Sequence, residues 1–169
     1  ESTFAFGLND LWGENKIDRM ELARVGQRTE HKYIGVMCGI MDQAISCLGR
    51  KGSLLRLDCR SGEYEYFPWN PKGYQLVLVN SCVKHTLAGS PYNERRLQCE
   101  HVAEIISQKH PEVKSLRDAS IEMLEEVKGE ITGDEYKRAR YVIGEVERVL
   151  AVCDALKNDD YEMVGKMMY

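Results

Sequence analysis

The sequence predicts an α+β protein with a mixed N-terminal half and a helical C-terminal half. Helical apolar spacing with capping signals fills the first 50 residues, and three short runs of strand formers follow between residues 53 and 80. From residue 90 the pattern is helical again. The boundary falls in NSCVKHTLAGSPY at 80–92, so we expect an N-terminal lobe over 1–85 and a C-terminal lobe over 86–169.

The first predicted helix is already under way where the sequence begins. ESTFAFGLNDLWG has no initial Met, and its amphipathic pattern ends near Gly13. The apolar face of this helix is predicted to consist of Phe4, Leu8, Leu11 and Trp12. The last residues, YEMVGKMMY, are also helical in pattern, so we expect the chain to be an internal piece of a longer protein.

Two further helices are predicted before residue 50. Asp18 is placed as an N-cap with Glu21 at the third helical position, and this helix should run to about Tyr33. After a turn, IMDQAISCLG reads as a short buried helix that ends at Gly49.

Three strands are predicted next. SLLRLDC at 53–59 and YEYFPW at 64–69 are joined by RSGE, whose Ser61-Gly62 pair signals a turn. Pro68 favours an edge strand or the end of one. YQLVLVN at 74–80 is rich in strand formers and is predicted as the third strand.

The C-terminal half is predicted to hold four helices. The first starts with Ser90 as cap and Pro91 at its first position, and continues to about residue 110. A short helix over 119–128 follows, and a final helix starts at Asp160.

The long helix between them starts at a capping box. Thr132 and Glu135 have the required spacing, and the helix should reach Lys157. Its predicted core face consists of Ala139, Val142, Ile143, Val146, Val149, Leu150, Cys153 and Leu156.

Composition excludes several functional classes. The net charge is -4 and the basic clusters have acidic neighbours, which argues against nucleic-acid binding. No apolar run reaches membrane-spanning length and no signal peptide is visible. The six cysteines form no CxxC pair, so we expect reduced structural thiols and a cytoplasmic protein.

Asp42 is the one unusual charge in the sequence. It is the only charged residue in the 17-residue run YIGVMCGIMDQAISCLG, where burial would be costly. Local sequence favours a solvent-facing Asp at a helix start over a chemical role. No GxxxxGK[ST], GxGxxG or GxSxG motif is present, so the residues alone name no reaction.

Three separated segments resemble the galactokinases, which belong to the galactose, homoserine, mevalonate and phosphomevalonate (GHMP) kinase superfamily. The segments are CGIMDQ at 38–43, NSCVKHTLAGSPYNERRLQCE at 80–100 and RARYVIGEVERV at 138–149, in the order of the family. The resemblance implies a two-lobed GHMP kinase fold and ATP-dependent phosphorylation of galactose at C1. The N-terminal sugar motif, the phosphate loop and the C-terminal Gly-rich motif of the family are absent, which implies an internal fragment.

The same resemblance implies roles for five residues. Asp42 would be the catalytic proton acceptor, and Gly39 and Tyr92 would bind the sugar together with it. Glu30 would be a ligand of Mg²⁺. Lys84, at a position that is often Arg in the family, would lie near phosphate. Without the resemblance, Glu30 is a solvated helix residue and Tyr92 a first-turn aromatic that packs on the core.

The expected partners are galactose and Mg-ATP, in galactose catabolism. One alternative is an N-acetylgalactosamine kinase, and another is a non-catalytic galactose-sensing regulator with the same fold. Because the phosphate loop is absent, we expect the isolated chain to be inactive. Uncovered sheet edges and apolar faces predict either self-association of the chain or disorder near residues 1–20.

Overall fold

The computed structural model describes residues 2–82 and 92–169. These residues divide into two compact units. The first comprises the described residues up to 82 together with Leu156–Tyr161, and the second comprises residues 92–155 together with Glu162–Tyr169. The described elements are helices and one small sheet, which confirms the predicted α+β class.

The first unit begins with helices. These are α1 (Ser2–Leu11), α2 (Arg19–Thr29), a π-helix (Glu30–Ile34) and α3 (Met41–Leu48). Their shared core is apolar and consists of Met20, Leu22, Ala23, Ile40, Ala44, Cys47 and Leu48. The sequence predicts α2 and the π-helix as one helix ending at Tyr33, and the change of hydrogen-bond pattern at residue 30 has no local sequence signal.

Two of the predicted ends of these helices, at Asp18 and at Gly49, are confirmed. The Oδ1 atom of Asp18 accepts hydrogen bonds from the backbone N–H groups of Met20 and Glu21, at 2.8 and 3.0 Å. Asp18 is therefore the N-cap of α2. Gly49 follows the last residue of α3 and donates its N–H to the Ile45 carbonyl at 2.9 Å.

The predicted inward face of α1 is wrong. Its apolar stripe is exposed, with Phe4 72% and Trp12 75% accessible. Ala5 and Phe6 pack against the core instead. Asn9 is buried because its amide bonds the backbone N–H and C=O of Ile17, at 3.2 and 3.1 Å, which fixes that side of the helix inward.

The sheet of the described residues is an antiparallel hairpin. It contains β1 (Ser53–Leu57) and β2 (Tyr64–Pro68), with Leu55 opposite Tyr66. The turn passes through Gly62, whose φ of 80° lies in the left-handed region that favours glycine. The first two predicted strands and their turn are thus confirmed.

The predicted third strand at 74–80 is wrong. This segment is irregular in the structure, and Leu78 and Val79 are 90% and 86% exposed. A strand requires a neighbouring strand for its backbone hydrogen bonds, and none among the described residues pairs with this segment. Strand-forming side chains alone therefore did not fix the conformation.

From residue 92 the chain is helical. The elements are α4 (Tyr92–Lys109), a 3₁₀-helix (Leu116–Asp118), α5 (Ile121–Glu126), α6 (Gly133–Lys157) and α7 (Tyr161–Met167). Their main core is formed by Val102, Ala103, Ile106, Val113, Leu116, Leu124, Val127, Ala139 and Ile143. The predicted cap at Ser90 and Pro91 lies outside the described residues. No helix of the described part is long and apolar enough to cross a bilayer.

Helix α6 follows its predicted start but only part of its predicted core face. Thr132 and Glu135 form the capping box, because each side chain bonds the backbone N–H of the other, at 2.8 and 3.3 Å. Val149 and Leu150 are about half exposed, contrary to prediction. The main helical core ends at Ile143, and the 25-residue helix extends beyond it.

Candidate active site

Asp42 lies in the first turn of α3, as its second residue. Its side chain is exposed and makes no hydrogen bond or ion pair with the residues that the structure describes. Exposure removes the desolvation cost that the apolar sequence context suggests. The first turn of a helix also favours negative charge, because its N–H groups lack partners within the helix. The carboxylate is therefore accessible to a ligand.

Gly39 is exposed and lies in the loop before α3. Apart from its two neighbours in the chain, no described residue has an atom within 4 Å of a Cβ built on Gly39. The described residues therefore impose no steric demand for glycine here. The open space beside the backbone is consistent with the close approach of a ligand.

The loop before α3 is tied to the preceding helical segment. The carbonyl oxygen of Cys38 lies 2.8 Å from Nε2 of His31 and accepts a hydrogen bond from Nε2 of Gln27 at 3.2 Å. Gly35, with a φ of 76°, reverses the chain between the π-helix and the loop. Sequence reasoning missed these two donors, because nothing local shows that side chains at 27 and 31 reach residue 38.

Glu30 is the first residue of the π-helix and is half-buried. Its carboxylate makes no ion pair or hydrogen bond within the described part of the chain. No group of three His, Cys, Asp or Glu residues there could enclose a metal ion. Mg²⁺ commonly takes one or two carboxylates and completes its shell with water and phosphate oxygens, so a single available carboxylate fits a shared site.

A cleft of about 320 Å³ lies beside Gly39. It runs between α2 and the β1–β2 turn, and its charged lining residues are Arg24, Arg28, Arg60 and Asp58. Glu21 pairs with Arg24 at 3.7 Å and with Arg28 at 2.9 Å, which neutralises part of this charge. The cleft could receive a small anionic group, and sequence reasoning did not bring these arginines together.

The other two predicted site residues lie after the hairpin. Tyr92 is the first residue of α4 and is 42% exposed. It is therefore not the core-packing aromatic residue that the sequence suggests without the resemblance. Lys84 lies outside the described residues. The joint use of Asp42 and Tyr92 in one sugar site stays a prediction.

One carboxyl group with a strongly lowered pKa lies away from these residues. Hydrogen bonds from Thr132 and His101 lower the pKa of Glu135 from 4.5 to about 2. Nδ1 of His101 lies 2.8 Å from the Glu135 carboxylate. Since both Thr132 contacts belong to the helix cap, this pair is explained by the start of α6 and requires no reaction.

Comparison with known proteins supplies what the geometry does not. Residues 1–50 match the family described as GHMP kinases N terminal domain. The whole chain is 38% identical to the galactokinase of Thermotoga maritima, of which it spans 45%. It is also 40% identical to human galactokinase over 146 residues, which is 86% of this chain and 36% of the human protein.

A solved structure agrees with these relatives. The crystal structure of Lactococcus lactis galactokinase complexed with galactose has a TM-score of 0.86 and 31% sequence identity to this chain. The match covers 99% of this chain and 43% of that one. The chain thus spans less than half the length of the galactokinases it matches.

Proposed function

We propose that the protein to which this chain belongs, a relative of the galactokinases, transfers the γ-phosphoryl group of ATP to the C1 hydroxyl of galactose. The observation that carries the proposal is the alignment of all 169 residues with a galactokinase at 38% identity. The accessible carboxylate of Asp42 in the first turn of α3 supports it. The products would be galactose 1-phosphate and ADP.

In this mechanism Asp42 accepts the proton of the C1 hydroxyl. The hydroxyl oxygen forms a bond to the γ-phosphorus, while the bond between that phosphorus and the leaving oxygen of ADP breaks. Phosphoryl transfer needs alignment and charge neutralisation more than covalent help from the protein. An exposed carboxylate in a first helical turn can reach a bound sugar without first losing a protein partner.

The remaining roles are assigned by resemblance to galactokinases and stay proposals. Gly39 and Tyr92 would contact the sugar, Glu30 would hold Mg²⁺, and Lys84 would lie near phosphate. Mg²⁺, when bound, neutralises charge on the phosphates of ATP. The lobe boundaries over 1–85 and 86–169 are likewise proposed.

The test is an ADP-release assay of the whole protein with galactose and Mg-ATP. We expect turnover that falls at least 10²-fold in Asp42→Asn, a change that keeps the shape and removes the base. The matched control is Asp134→Asn, because Asp134 is also the second residue of a helix. Equal turnover by wild type and Asp42→Asn would refute the role of Asp42.

The choice of substrate separates the alternatives. Faster phosphorylation of N-acetylgalactosamine than of galactose would identify the related kinase. Galactose binding without any ADP release would favour the sensing regulator.

A further inference from the structure

The peptide between Cys38 and Gly39 is held at one atom by two side chains. His31 and Gln27 both reach the Cys38 carbonyl oxygen, at 2.8 and 3.2 Å. Because the peptide unit is planar and trans, fixing its oxygen also fixes the direction of the Gly39 N–H, which points the opposite way. Two contacts thus determine the backbone orientation three residues before Asp42.

The two contacting residues are four positions apart on one continuous helical segment. Gln27 is in α2 and His31 is in the π-helix, and residues with this spacing lie on the same face. Single-turn π-helical segments are frequent at functional sites. To bond the carbonyl, Nε2 of His31 must carry a hydrogen, as it does in the Nε2–H tautomer and in the imidazolium.

The loop between the π-helix and α3 has few side-chain constraints on its own backbone. It contains glycine at both 35 and 39, and glycine has the largest backbone entropy in the unfolded or disordered state. Within the loop, the Cys38 N–H bonds the Val36 carbonyl at 2.9 Å. A buried Val36 anchors one side of it.

Gln43 fixes the other side of the same segment. The Gln43 side chain packs closely against Gly26 of α2, because a Cβ atom built on Gly26 would lie 3.0 Å from Cγ of Gln43. Its Nε2 lies 3.9 Å from the Cys38 sulfur. Asp42 is therefore flanked by a residue packed on α2, in a segment whose start is bonded to α2 and the π-helix.

We propose that Gln27 and His31 are positioning residues that hold the Cys38 carbonyl and thereby set the placement of Gly39 and Asp42 for phosphoryl transfer. Neither residue has to touch the substrate. This inference rests on the proposed function for its catalytic consequence, whereas the restraint on the loop is a property of the protein alone. Misplacement of a reacting group by about 1 Å can cost about 10²-fold in rate.

The test uses three variants of the whole protein. His31→Phe keeps a ring but has no N–H donor, and Gln27→Met keeps the length but has no amide. His31→Gln restores a donor. The control is His110→Phe, because the His110 ring contacts the carboxylates of Glu112 and Glu126 and no loop carbonyl. Circular dichroism first checks that each variant folds.

Hydrogen exchange of peptides covering 35–44 reports on the loop. We expect exchange at least tenfold faster in His31→Phe and Gln27→Met, and near the wild-type rate in His31→Gln and the control.

Steady-state kinetics report on catalysis. We expect kcat for galactose to fall roughly 10- to 100-fold in the two donor-free variants, with the KM for ATP and the Mg²⁺ requirement unchanged.

Three results would overturn the inference. The first is unchanged exchange in both donor-free variants, and the second is faster exchange with unchanged kcat. The third is a raised Mg²⁺ requirement that accounts for the loss of rate, since His31 would then act through its neighbour Glu30. A wild-type protein that phosphorylates no sugar would refute the proposed function instead, and exchange would still decide whether the loop is restrained.

Discussion

Replacing Glu135 by Gln should destabilise the helical unit in a manner that depends on pH. The Glu135 carboxylate accepts bonds from the Thr132 backbone N–H and hydroxyl, both at 2.8 Å, and lies 2.8 Å from His101. A Gln side chain keeps oxygen and shape but loses the charge, and charge-assisted hydrogen bonds are about twice as strong as neutral ones. The change therefore isolates the electrostatic part of the helix cap.

The pKa of Glu135 limits the size of the effect. Its fall from 4.5 to about 2 would correspond to about 3 kcal/mol if no solvent screened the charge, at roughly 1.4 kcal/mol per pKa unit. The His101 side chain is 49% exposed, so solvent screens this contact and the amide retains part of the bonding. We expect Glu135→Gln to lower the free energy of unfolding by about 1–2 kcal/mol at neutral pH.

The sign of the pH dependence follows from the lowered pKa. The folded state favours the ionised carboxylate, so its contribution is complete above about pH 4.5 and is lost as the pH falls towards 2. Urea unfolding at several pH values measures the difference between wild type and Glu135→Gln. Asp134→Asn is the control, because Asp134 is exposed in the same helical turn. A difference that is absent at neutral pH, or unchanged down to pH 2, would refute this account of the cap.

Three further predictions concern stability and activity. Asp18→Ala should cost about 1 kcal/mol in urea unfolding because it leaves two N–H groups of α2 without their cap, and an unchanged midpoint would contradict the N-cap. Tyr161→Phe should cost about 1 kcal/mol, since the Tyr161 hydroxyl accepts the Asn70 N–H at 3.1 Å, whereas Tyr169→Phe at an exposed site should cost nothing measurable. The 169-residue chain alone should release no ADP from Mg-ATP with galactose. It should also elute from size-exclusion chromatography above its monomer mass of 19.4 kDa, because large apolar side chains of α1 and 74–79 are exposed. Galactose-dependent turnover by the chain alone, or a strictly monomeric chain, would contradict one of these two expectations.

Elements defined by local chemistry were predictable from sequence. Asp18 caps α2, Gly49 follows α3, and Thr132 with Glu135 starts α6, because each cap is a bond between residues at most four apart. The β1–β2 hairpin was predictable for the same reason, since its turn residues adjoin both strands.

Features that depend on distant partners were not predictable. The segment 74–80 has strand-forming side chains but no neighbouring strand in the described chain, so it is irregular. The apolar stripe of α1 faces solvent because Asn9 bonds Ile17 across a turn, a contact eight residues apart in sequence. Apolar spacing indicates that a helix has a face to bury, but the partner decides which face is buried.

In the candidate site, too, local sequence does not separate one aspartate from another. Asp42 and Asp134 are each the second residue of a helix, and the local rule that favours negative charge there explains both equally well. Their surroundings differ: Asp134 lies 3.7 Å from the exposed ammonium of Lys137, which adequately explains it as a surface residue. Asp42 follows a loop in which the Cys38 carbonyl is held by His31 and Gln27. A solvated surface carboxylate needs no such restraint, whereas a catalytic base must be kept in one place. If Asp42 has the role that we propose, the distinction between the two aspartates resides in contacts made by other residues, and substitution of those residues tests it without altering either carboxylate.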